Sequence, residues 1–170
     1  MELLKLYSFY IKDRKNKIQG ILLSEGDEWI LIKNNFDYIL DGYLIINKQY
    51  LLECHIGEDE IFTEAVLLAN NKLANIKRLD IPLTTKSLIN YLYKEQIIFQ
   101  IFLKDDSASY IGKISKVLNK SIYIEPLDTN GLWMNERFLF RTMYIRVIQF
   151  DIDYINSLLN YNHYIENKLR

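Results

Sequence analysis

The chain has 170 residues, of which 49% are apolar, and it carries a net charge of −1. That much apolar side chain supplies a core and excludes global disorder. Near-neutrality excludes a strong overall pull toward nucleic acid or an anionic membrane.

The first 60 residues read as β-structure. Tyr7, Phe9 and Ile11 alternate with Ser8 and Tyr10, the period of a half-buried strand. Lys12-Asp13-Arg14-Lys15-Asn16-Lys17 is a polar turn, and a second strand follows from Ile18 to Leu23. Glu25-Gly26-Asp27-Glu28 turns the chain into a third strand, Trp29 to Lys33. Asp41-Gly42 is a turn signal, after which Tyr43–Ile46 and Tyr50–Leu52 complete five short strands, the count of a small barrel. The period then changes. Phe62, Ala65, Val66, Ala69, Leu73 and Ile76 fall at helical spacing. Ile81-Pro82 breaks that run, and Thr84 or Thr85 is placed to cap a second helix bearing Leu88, Ile89 and Leu92.

From residue 96 the β-order returns, with strands at 97–103, 110–114, 121–125, 137–140 and 144–150. At an offset of 92, Gly20 matches Gly112, Ile30 matches Ile122 and Ile32 matches Ile124. After a two-residue insertion Tyr50 matches Tyr144 and Asp59 matches Asp153. A glycine inside a strand marks a bend or a close backbone approach, and small barrels need such a bend to close. A terminal helix carries the stripe Tyr154, Leu158, Tyr161, Ile165 and Leu169, with Asp151 or Asp153 as its cap and Lys168 and Arg170 suited to its C-terminal end. The expected architecture is therefore mainly β with helices, an α+β fold. It has a five-stranded barrel over residues 1–60, a helical connector over 61–95, a second barrel over 96–150 and a C-terminal helix over 151–170.

These residues resemble Sm-like (SH3-like) small barrels, which include the bacterial Hfq type. The resemblance rests on the helix Ser87–Lys94, the strand Ile97–Leu103 and the glycine-kinked strand at Gly112, and it covers residues 5–60 and 84–150. The first half also resembles a group of uncharacterised bacterial proteins through Asp37-Tyr38-Ile39-Leu40-Asp41-Gly42-Tyr43. The resemblance implies tandem five-stranded barrels, which pair strand to strand in such proteins, and it implies RNA as one class of ligand. RNA-binding members carry an Asp-x-x-Met-Asn-like element near strand three and an Arg-Gly element before strand five. Here those segments are Asp27-Glu28-Trp29 and Ile46–Gln49 in one half, and Asn119-Lys120-Ser121 and Phe140–Met143 in the other, and neither pair matches.

The chemistry-bearing residues are sparse. One cysteine excludes an intrachain disulfide and speaks against an oxidising compartment. Cys54 and His55 are neighbours on a strand and point to opposite faces, so they cannot form a nucleophile–base pair. His163 is remote, and no Cys/His spacing fits zinc. No metal, cofactor or catalytic set is expected. Asp37 and Asp41 offer paired carboxylates, with turn chemistry as their plainer reading. Lys12, Arg14, Lys15 and Lys17 form one basic cluster, either a solvated turn or a grip on phosphates. Trp133 is an interface anchor if exposed and a barrel lid if tucked in. Residues 1–60 hold seven Lys/Arg against eleven Asp/Glu, so the first unit is acidic. The apolar runs are too short to span a bilayer, and Met1–Lys5 has no leader-like pattern. The expected function is that of a non-enzymatic cytoplasmic protein that binds another protein, one form being an immunity-type inhibitor of a basic toxin. The alternative is RNA binding through the Sm-like fold.

Overall fold

The computed structural model describes residues 1–104 and 108–168. Asp105, Asp106 and Ser107 of the loop matching 13–15, together with Leu169 and Arg170 of the expected terminal helix, lie outside the described residues.

The described residues are mainly β with three helices, an α+β architecture. The strands are β1 (Leu6–Ile11), β2 (Ile18–Glu25), β3 (Trp29–Phe36), β4 (Ile39–Asn47), β5 (Leu51–His55), β6 (Phe99–Phe102), β7 (Ser109–Val117), β8 (Ser121–Leu127), β9 (Phe138–Arg141) and β10 (Val147–Phe150). The helices are α1 (Glu58–Ala69), α2 (Thr85–Lys94) and α3 (Asp153–Lys168). All ten strands hydrogen-bond as one antiparallel sheet in the order β5-β1-β2-β3-β4-β10-β6-β7-β8-β9. The two expected strand sets are thus joined in a single ladder, and β5 and β9 stand at its two ends.

The near-continuous apolar runs of β2, β3 and β4 have a direct cause. Side chains alternate between faces of a strand, and here both faces are covered. Ile21, Leu31 and Ile45 enter one core cluster, while Leu22, Ile30, Ile32, Leu44 and Ile46 enter the other. The larger cluster also takes Leu88 and Leu92 of α2 and Phe99, Ile114 and Ile124 of the second strand set, so one core crosses the whole chain.

The two matched glycines occupy matching surroundings. Gly20 pairs with Tyr7 and Asn34, and Gly112 pairs with Phe99 and Pro126. A Cβ at Gly20 would stand 2.6 Å from the Lys33 carbonyl oxygen and 2.7 Å from Ile32 Cδ1. At Gly112 it would meet the Glu125 carbonyl oxygen and lie 2.7 Å from Ile124 Cγ2. Lys33 and Glu125, and Ile32 and Ile124, are each 92 residues apart. Each glycine is followed by a bulge, between Leu22 and Ser24 in β2 and between Ile114 and Lys116 in β7. The bulge adds a residue to one strand and bends it. A 3-10 turn, Lys48–Tyr50 or Thr142–Tyr144, introduces β5 and lies upstream of β10.

Where the structure departs from sequence expectation, local physics explains it. The hairpin between β3 and β4 turns at Asp37-Tyr38, both at positive φ (45° and 65°), and not at Asp41-Gly42. Gly42 (φ 60°) instead bulges inside β4, where the Phe150 and Asp151 carbonyls and the Ile152 side chain pack closely over it. The first helix begins earlier and ends at Ala69, leaving Leu73 and Ile76 on an irregular segment packed against the core. It buries Glu60, Thr63 and Leu67, not the Phe62–Ala69 stripe. The terminal helix is rotated by one residue from the expected stripe, so Ile155 and Asn162 are buried while Tyr154 and Tyr161 are exposed. Asn162 donates to the Gly131 carbonyl at 2.8 Å, a polar fastening that hydrophobic periodicity does not register. Among the described residues no helix is long and apolar enough to cross a membrane.

Candidate functional site

A row of polar residues crosses the apolar sheet beneath α1. Ser8 of β1 faces His55 of β5 on one side and Gln19 of β2 on the other, and Gln19 faces Asn35 of β3. Cross-strand partners point to the same face, so the four side chains form a polar ladder. Glu60 of α1 descends onto its centre, 1% exposed. Its Oε1 accepts from Ser8 Oγ at 2.5 Å, Lys17 Nζ at 2.9 Å and Gln19 Nε2 at 3.3 Å. Its Oε2 accepts from the Gly57 backbone N–H at 2.8 Å, tying the carboxylate to the start of its own helix, and lies 3.6 Å from His55 Nε2. Tyr10 stacks on His55 at 5.6 Å. Burial pushes the Glu60 carboxyl upward, but the bonds from Ser8, Lys17 and Gly57 outweigh it and hold it down at about 2. A carboxylate held so low is a poor base near neutral pH. The work of this cluster is to fasten α1 to the sheet.

The ladder opens into a groove of about 530 Å³ between α1 and the β3–β4 hairpin. Gln19, Asn35 and Thr63 contribute polar lining, Asp37 and Asp59 carboxylates, Lys17 an ammonium, and Phe36, Tyr38 and Phe62 aromatic rings. The amide orientations follow from Glu60. Gln19 turns its Nε2 toward that carboxylate, so its Oε1 accepts from Asn35 Nδ2 at 2.7 Å. Asn35, 5% exposed, is left with an Oδ1 that has no hydrogen-bond partner among the described residues.

A second hollow of about 360 Å³ joins the β2–β3 turn to the segment before β5, through Asp27, Glu28, Asn47, Lys48 and Gln49, with Thr142 and Met143 from the other strand set. Two of its charged side chains, Glu28 and Lys48, are engaged. Glu28 Oε2 accepts from Thr85 N at 2.9 Å and from Thr85 Oγ1, and those bonds hold its carboxyl below the usual range. It therefore supplies the cap that Thr84 does not give α2. Lys48 Nζ donates to Glu25 at 2.8 Å, and this bond holds Glu25 low as well.

The residues singled out from sequence scatter over several tasks. Lys17 anchors Glu60. The Arg14 guanidinium lies 5.4 Å over the Phe102 ring. The Lys12 carbonyl accepts from Arg146, which also bonds Asp13 at 2.9 Å and stacks on Tyr50. Lys12 and Lys15 are exposed. Asp37 turns the hairpin and lines the groove. Asp41 Oδ1 accepts from Asp153 N at 2.9 Å and caps α3, so Asp41 and Asp37 do separate jobs. Trp133 is half-buried, bridges Leu127 and carries Lys113 Nζ 4.8 Å over its ring, which fits a lid over the second strand set better than a free anchor. Burial pushes the Cys54 thiol up, and its sulfur lies 3.4 Å from that of Met1. Glu60 and Asn35 escape sequence reading. The one available signal was Gly57-x-x-Glu60 ahead of an apolar run, half of a helix capping box. No protein family, curated protein or solved structure matches the chain.

Proposed function

We propose that the chain is a non-enzymatic binding protein, made of two Sm-like β-units, whose ligand is another protein. Support for the two units comes from the strand order, in which β5-β1-β2-β3-β4 is followed by its counterpart β10-β6-β7-β8-β9. The matched glycines, bulges and 3-10 turns add to it. The β4–β10 pairing then supplies inside one chain the strand-to-strand contact that Sm-like domains make with neighbours.

One observation carries the choice of a protein ligand. Helix α1 turns an apolar face outward, with Ile61, Phe62 and Leu68 at 63%, 62% and 59% exposure. Positions 61, 65 and 68 stand on one helical face, and a contiguous exposed apolar patch marks an interaction surface. Leu52, on the end strand β5, is exposed as well. In the first unit, two charges of the segments at which an RNA-binding Sm-like protein would take its ligand, Glu28 and Lys48, are engaged by Thr85 and Glu25. In one form of this reading the acidic first 60 residues meet a basic partner, as an immunity-type inhibitor meets its toxin.

The test pairs two measurements. Fluorescence anisotropy with a labelled single-stranded RNA at low salt is expected to give no binding, because phosphate contacts are strongest there. Co-expression with the products of flanking genes is expected to yield a stoichiometric complex that Leu68→Glu disrupts. Tight, steeply salt-dependent RNA binding would replace this reading with the RNA one.

A further inference from the structure

We propose that the groove between α1 and the β3–β4 hairpin takes an arginine side chain of the partner protein. This rests on the protein-binding reading above. Asn35 Oδ1 is buried with no hydrogen-bond partner among the described residues, and Glu60, acting through Gln19, fixes that orientation. A bare buried acceptor is costly, so the floor of the groove favours a ligand that brings an N–H donor. Asp37 and Asp59 line the same groove and select a cation. Lys17 lines the groove as well, but its charge is spent on the buried Glu60; Lys72 Nζ donates to the Tyr38 carbonyl at 2.6 Å, which leaves two carboxylates against one ammonium not paired with an acid. Phe36 and Phe62, 69% and 62% exposed, also line the groove and offer ring faces. A guanidinium suits all three features. It is planar, stacks on aromatic faces, and presents five N–H donors to an amide oxygen and carboxylates together. An ammonium offers a compact point charge and no stacking plane.

The probe is Nα-acetyl-arginine methylamide, titrated into the whole chain at low salt and followed by amide chemical shifts. Blocked lysine and blocked norvaline serve as controls. Saturable shifts confined to residues 35–38 and 59–63 are expected with arginine, weaker ones with lysine and none with norvaline. Phe62→Ala changes an exposed ring, leaves the fold intact and is expected to weaken arginine binding about fivefold. Asp37→Asn keeps a residue that tolerates positive φ, and combined with Asp59→Asn it is expected to abolish saturation. Shifts outside the groove, equal responses to arginine and norvaline, or indifference to these substitutions overturn the proposal. An equal response to lysine overturns the guanidinium assignment. A partner protein that binds wild type and Phe62→Ala equally, yet is lost with Leu68→Glu, removes the groove and leaves the protein-binding reading standing.

Discussion

Replacing Glu60 with glutamine removes one charge from the most densely bonded carboxylate described in the chain and leaves its volume nearly unchanged. The group falls from an ordinary 4.5 to about 2 on folding. Each unit of such a shift is worth about 1.4 kcal/mol, so the ionised form contributes about 3 kcal/mol of stability. The folded value lies below the unfolded one. The contribution is therefore complete above about pH 5 and fades as pH falls from about 4.5 toward 2. By about pH 3 some 2 kcal/mol of it is gone and about 1 kcal/mol remains. Urea unfolding of wild type and Glu60→Gln should thus differ by about 3 kcal/mol at neutral pH and by about 1 kcal/mol near pH 3. Glu25 and Glu28 are also held low, so both proteins lose stability in acid, and the narrowing gap isolates Glu60. If the gap stays constant across that range, the carboxylate is not held by Ser8, Lys17 and Gly57 in the manner described, and the anchorage argument fails.

Gly112→Ala drives a Cβ into the Glu125 carbonyl and Ile124, and a loss of about 2–3 kcal/mol is expected in denaturant melts. Gly20→Ala should cost a similar amount, and a neutral result at either position would refute the shared close approach. Asp41→Ala removes the acceptor for Asp153 N. It should cost about 1 kcal/mol and fray the start of α3 in hydrogen exchange, with Asp41→Asn retaining most of the cap.

Much of the sheet was legible because burial imposes a period. Eight of the ten strands start within two residues of where alternation and turn chemistry put them, as Leu6, Ile18, Trp29 and Ser121 illustrate. The glycine pair was legible for another reason, since a missing Cβ is required wherever two backbones approach as closely as Gly20 and Lys33 do. The joining of both strand sets into one ladder was not legible. β4 and β10 lie about a hundred residues apart, and their apolar seam, Ile46 against Val147 and Ile45 against Ile148, looks like ordinary core in each strand alone. The Asp41-Gly42 turn was misplaced because a glycine at positive φ serves a bulge as well as a hairpin. The true turn, Asp37-Tyr38, lacks the glycine that usually announces it.

The candidate site was hidden for a related reason. Sequence reading looks for clusters along the chain, and this site is a row across it. Ser8, Gln19, Asn35 and His55 each sit singly in apolar strands, and only strand register aligns them. The conspicuous charges were the ones already spent: Lys17 on Glu60, Glu28 on α2 and Asp41 on α3. A buried charge must find partners, so much of the polar side chain within reach of the core is consumed in holding helices to the sheet. What remains for recognition is what the fold leaves unsatisfied. That includes the apolar face of α1 and the Asn35 amide oxygen, which Glu60 orients and which has no hydrogen-bond partner among the described residues.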